Sequence, residues 1–112
     1  MAIYFYTADP AKLLAAIRTS IDEGKIKTWS YDSDGDFTHT AEQWKFKAWL
    51  RPQIKDGALR FVIFPPMATS LSKRIYGIYH GRFVESVLIH ADVLFTRVET
   101  TALATEGDLT TA

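Results

Sequence analysis

The chain has 112 residues, a length typical of one domain, with 47% apolar residues, zero formal net charge and no cysteine. These numbers exclude disulfides and thiolate metal centres and argue against disorder. They also exclude the global basic surplus that marks dedicated nucleic-acid binders, though not a local basic patch.

Ile3 to Thr7 (IYFYT) is β-branched and aromatic, which predicts a strand. The start, MAIYFYTADP, has no basic stretch and reaches Asp9 too early for a signal peptide. No apolar run is long enough for a membrane span, so a soluble, cytoplasmic protein is expected. Asp9-Pro10 opens a helix over about 10–23, with Asp9 as N-cap and Pro10 in the first turn. Leu13, Leu14, Ile17 and Ile21 recur at helical spacing, and Gly24 supplies the stop.

Ile26 to Tyr31 reads as a short strand, followed by the turn Asp32-Ser33-Asp34-Gly35-Asp36. The next strand is expected within 37–51, with 43–51 as its core. There Trp44, Phe46, Ala48 and Leu50 alternate with Lys45, Lys47, Trp49 and Arg51. The capping-box pattern Thr40-x-x-Gln43 and the helix formers of 41–50 pull the other way. The strand reading is preferred because the alternation is clean and Pro52 ends it. Asp56-Gly57 turns the chain into a strand over Leu59–Phe64, stopped by Pro65-Pro66.

From about Ser70 to Val98 the pattern predicts one long helix of ~43 Å, more than the ~27 Å expected for the whole domain. A kink near Gly77 and Gly81 or a projecting end would resolve the conflict. Residues 100–112 are small, polar and acidic, and are expected to be a loose tail to a 1–99 domain. The expected fold is α+β, with β-α-β-β-β-α order. An antiparallel meander of three or four strands would carry both helices on one face.

The three aspartates of DSDGD suggest a cation loop. The calcium-loop pattern fails, because Gly35 precedes Asp36 and the twelfth residue is Gln43. A hairpin turn is expected, with no metal and no cofactor. On a helical wheel His80 falls amid apolar residues and His90 at their edge, with no ligand partner three or four residues away. A core histidine bonded to a carbonyl or tyrosine explains His80. His39 stands alone beside the turn. No serine, threonine or carboxylate is placed by sequence to work with these histidines, so catalysis is not expected unless one of them lies beside a pocket with a second polar group.

If the strand registers align, one sheet face collects Lys25, Lys27, Lys45, Lys47, Arg51 and Arg60, with Trp29, Tyr31 and Trp49 among them. Cations interleaved with rings are the means by which single-strand binders hold nucleic acid. Ser70, Ser72, Lys73 and Arg74 at the start of the last helix form a candidate anion site. The α-β-β-β-α stretch resembles, in order alone, double-stranded-RNA-binding domains, whose loop and lysine motifs are not reproduced.

The last helix is also too apolar for a helix covering one sheet. Ile75, Ile78, Ile89 and Val93 lie opposite its main apolar arc, which predicts a homodimer with paired last helices. The functional expectation is therefore a binding domain with a macromolecular partner. The alternatives are a nucleic-acid binder using the sheet face, and an enzyme with a histidine-containing pocket.

Overall fold

The computed structural model describes residues 2–103. The chain forms an α+β domain with a six-stranded antiparallel sheet and two helices. Its elements are β1 (Ala2–Tyr6), α1 (Pro10–Asp22), β2 (Trp29–Tyr31), β3 (Phe37–His39), β4 (Trp49–Lys55), β5 (Ala58–Phe64), α2 (Lys73–Ala91) and β6 (Arg97–Thr100). A 3-10 turn, Asp92–Leu94, joins α2 to β6. The strand order is β2-β3-β4-β5-β1-β6. The sheet thus has two or three strands more than the meander expected from sequence, and the order runs β-α-β-β-β-β-α-β. That also departs from the α-β-β-β-α order shared with double-stranded-RNA-binding domains.

The first third follows its local signals. The Asp9 carboxylate accepts from the Lys12 amide at 3.1 Å, and Pro10 starts α1. Gly24 takes a φ of +76° that a side chain would resist, and its amide donates to Ile21. Leu13 and Ile17 are the buried positions of the helix. β5, with partners on both sides, is buried along nearly its whole length.

Three expectations fail, each for a physical reason. Residues 25–28 are not strand. The amides of Lys25 and Ile26 instead donate to Ser20 and wrap the end of α1. Ile26 and Trp29 are both buried, three residues apart, so the period-2 parity breaks between them.

Residues 41–47 are a compact turn. The Trp44 and Lys45 amides both donate to Ala41, and Phe46 takes φ 57°. This is nearer the helical reading of that stretch than the strand reading. β4 begins only at Trp49 and runs through Pro52, which was expected to end it. β3 pairs with β4 only at Phe37–Leu50. Pro52 lies past that pairing, where the outer edge of β4 is open and a missing N–H is tolerated.

The long helix stops at Ala91, about 28 Å after its start, which fits the 36 Å longest dimension of the molecule. Phe95 to Thr100 alternates instead. Val98 packs on the core while Arg97 and Glu99 sit opposite Tyr6 and Tyr4 of β1. Beyond β6, the Thr101 amide still donates to Ala2. Of the expected 100–112 tail, residues 104–112 lie outside the described part.

Both helices cover one sheet face. Phe83 of α2 centres that core, with its ring 4.7–6.2 Å from those of Phe5, Trp29, Phe37 and Phe61. The hydroxyl of fully buried Tyr79 holds the 41–47 turn. It donates to the Trp44 carbonyl at 2.6 Å and accepts from the Lys47 amide at 3.2 Å. Tyr79→Phe therefore strands a carbonyl and an amide. It is expected to cost about 1–3 kcal/mol, read as a lower urea midpoint with unchanged slope. Phe83→Ala is expected to cost about 3–5 kcal/mol in the same assay.

Candidate functional site

The face of the sheet without helices is set by strand parity. Ile3, Phe5, Leu50, Leu59, Phe61 and Ile63 point into the helix-covered core. Their alternates point the other way: Tyr4 and Tyr6 from β1, Trp49, Arg51 and Gln53 from β4, Arg60, Val62 and Phe64 from β5, Arg97 and Glu99 from β6. The basic-aromatic face thus exists, but with a different membership from the one expected. Trp49, Arg51 and Arg60 are on it. Trp29 is not: it is 2% exposed and packs under α2, against Tyr79 and Phe83. Lys25, Lys27, Lys45 and Lys47 are exposed in the turns flanking β2 and β3, outside the strands. Lys25 pairs with Glu23 and Lys45 with Glu42.

On the face itself the cations lie over rings. The Arg60 guanidinium is 5.5 Å from the Tyr4 ring and donates to the Tyr4 hydroxyl at 3.0 Å and to Gln53 at 2.6 Å. Arg97 lies 4.2 Å over Tyr6, whose hydroxyl bonds Glu99. Arg51 lies 4.8 Å from the Phe64 ring and grips Asp36 through two 2.9 Å bonds. Those bonds hold the Arg51 pKa above its ordinary value. Tyr4 stacks on Tyr6, and Trp49 on Phe64.

At the Trp49 end this face runs into the 32–36 turn. A cleft of about 350 Å³ forms there between Asp32, Asp34 and Asp36 on one side and Trp49, Phe64, Pro65, Pro66 and Met67 on the other. The three carboxylates approach within 4.8 Å of one another. The turn accounts for much of that closeness. Asp32 accepts from the amides of Asp34 and Asp36, both at 3.0 Å, and Asp36 is consumed by Arg51.

The candidate anion site is a helix cap. Ser72 accepts from the Ile75 amide at 3.1 Å, and Lys73 and Arg74 are exposed beside it. Of the expected dimer stripe, Ile75 and Ile78 are half-buried, Ile75 against the core. Ile89 and Val93 are 67% and 88% exposed.

The two internal histidines differ. His80 is a core residue, its Nδ1 2.7 Å from the Tyr76 carbonyl and its ring stacked on Tyr76. His39 is 3% exposed and stacks on Trp29 at 4.7 Å, with the Tyr79 ring edge-on at 6.0 Å. Its Nδ1 lies 2.6 Å from the Thr28 carbonyl, a contact that requires a proton on Nδ1. The ring also lines a cleft of about 170 Å³ with Thr28, Gln43, Trp44, Arg82 and Glu85. Burial is the main cause of a His39 pKa below its ordinary value. Arg82 lowers it further, while the Thr28 bond and Glu85 oppose the shift.

Sequence reasoning missed Tyr4, Tyr6 and Arg97 as members of the open face, although the β1 alternation signalled the two tyrosines. It had no means of finding Arg82 and Glu85 beside His39, since only tertiary packing joins them. No helix among the described residues is long and apolar enough to cross a membrane. No family model, curated protein or solved structure matches the chain.

The His39 environment sets the sign of a pH effect. The folded state holds the neutral ring, so the unfolded state binds more protons around its ordinary pKa of about 6.5. The stability gained by keeping His39 neutral is complete above that pH and is lost as pH falls through the folded value. The urea midpoint of the wild type is expected to fall from pH 7 to pH 5 more than that of His39→Asn. Parallel pH profiles for the two proteins would contradict the assignment.

Proposed function

We propose that this chain is a binding domain that engages a protein partner through the helix-free face of its sheet. The partner contributes lysine or arginine side chains to the cleft at the Trp49 end. The observation that carries this reading is the half-exposed Trp49–Phe64 stack, on the helix-free face and rimmed by exposed Asp32 and Asp34. A ring wall beside carboxylates suits an incoming ammonium or guanidinium group. The same carboxylates would repel phosphates, and Arg51, the cation in that cleft, is already bonded to Asp36. Burial of Trp29 removes one expected base-stacking ring, and the four lysines of the expected face lie in flanking turns. These points favour a protein over a nucleic acid.

A second reading, that two copies of the chain pair through the end of α2, is favoured by the exposure of Ile89 and Val93. Ile89, near the end of α2, and Val93, in the 3-10 turn after it, are apolar side chains open to water. They replace the longer stripe that included Ile75 and Ile78.

Tryptophan fluorescence titrated with short arginine-rich peptides, acidic peptides and single-stranded RNA tests the first reading. The arginine peptides are expected to shift the Trp49 signal, with Asp32→Asn and Asp34→Asn each weakening binding about two- to fivefold. RNA binding that falls steeply with salt, with no response to cationic peptides, would restore the nucleic-acid reading. For the second, light scattering at ~50 μM is expected to give a dimer mass that Ile89→Glu with Val93→Glu reduces to a monomer. A wild-type monomer at that concentration would exclude pairing strong enough to matter.

A further inference from the structure

We propose that the cleft beside His39 is a binding site for a small zwitterion, an amino acid of about five to seven heavy atoms. Arg82 takes its carboxylate and Glu85 its ammonium group, while His39 Nε2 accepts a hydrogen bond from the ligand. Three features of the cleft lead there, and none of them belongs to the open sheet face.

The first is His39 itself. It is almost wholly buried, and its Nδ1 is committed to the Thr28 carbonyl. Among the described residues Nε2 has no hydrogen-bond partner, yet the ring lines the cleft. A proton on Nδ1 leaves Nε2 of the neutral ring as an acceptor. Stacking on Trp29 and the edge of Tyr79 hold the ring in place, so the acceptor is preorganised.

The second is charge. Arg82 and Glu85 lie one turn apart on α2 and line the same cleft. Among the described residues neither makes an ion pair, so one cation and one carboxylate are available together. A ligand with a single charge would satisfy one and face repulsion from the other. A zwitterion satisfies both. The arginine fork matches a carboxylate, and an ammonium group has protons for both Glu85 and Nε2.

The third is size. A cleft of about 170 Å³ has room for roughly five or six water molecules at ~30 Å³ each. That volume matches glycine, alanine or serine better than an amino acid with a large side chain. Gln43 and Trp44 line it from the Tyr79-anchored turn.

The test is an NMR titration of the full chain with glycine, L-alanine and L-serine, following the His39 ring nitrogens and the Arg82 and Glu85 amides. Acetate, ethylamine and L-phenylalanine serve as controls. Saturable shifts are expected for the small amino acids with a Kd near ~1 mM, at least tenfold tighter than for any control. Arg82→Gln and Glu85→Gln should each weaken alanine binding about tenfold or more while leaving the urea midpoint nearly unchanged, since both side chains are exposed. An unmoved His39 ring at about 50 mM amino acid would overturn the proposal, that concentration being far above the expected Kd. Equal binding of acetate and alanine would overturn it as well, as would unaltered affinity in both variants.

Discussion

The hydroxyl of Tyr79 organises the half of the molecule that local sequence signals leave undetermined. It is fully buried, and its proton goes to Trp44 while its oxygen receives the Lys47 amide. Thr38 Oγ1, itself bonded to the Ala48 carbonyl, lies 3.2 Å away. One phenol on α2 thereby joins the helix, the 41–47 turn and strand β3. A buried polar group of this kind is costly when unpaired and directional when paired. The turn takes its shape from that pairing, and the shape in turn decides where β4 begins and which way Trp49 and Arg51 point.

The two sheet faces solve opposite problems. The covered face buries rings edge to face around Phe83. The open face must keep Tyr4, Tyr6, Trp49 and Phe64 at the surface of a sheet without helices to shield them. It does so by laying arginines over them, Arg60 on Tyr4, Arg97 on Tyr6 and Arg51 on Phe64. Guanidinium planes are weakly hydrated and stack well, so they cover apolar carbon while keeping their donors free for carboxylates and amides. Ala2 and Val62 are buried on this side even without a helix above them.

Much of the first half of the chain was legible because its signals are local. Asp9-Pro10, the Leu13–Ile17 spacing and Gly24 each act within one or two turns, and α1 lies within a residue of its expected bounds. The strand Leu59–Phe64 was equally clear, because β5 is paired on both sides and cannot slip. Failures arose where period-2 patterns belonged to chain that is not strand, as at 25–28 and 44–48, and where a real strand followed a helix directly. β6 reads apolar-polar like the helical arc before it, and only pairing with β1 distinguishes the two. The open face was half legible: Trp49, Arg51 and Arg60 were placed correctly. Trp29 was assigned the wrong side because the register shift between Ile26 and Trp29 is fixed by the end of α1, not by alternation. The His39 cleft joins residues more than forty positions apart, which no spacing rule reaches.

The place of β1 in the sheet bears on how the chain reaches its fold. Ile3 pairs with Phe61 on one side and with Thr100 on the other, so the first strand made is bordered by two made much later. Such long-range closure slows folding, because loop entropy is lost before the contacts that offset it form. During synthesis AIYFY must wait, apolar and unpaired, until some sixty residues have emerged before β5 can receive it, and longer for β6. That interval, more than any weakness of the finished sheet, is when this molecule is most exposed to joining the wrong neighbour.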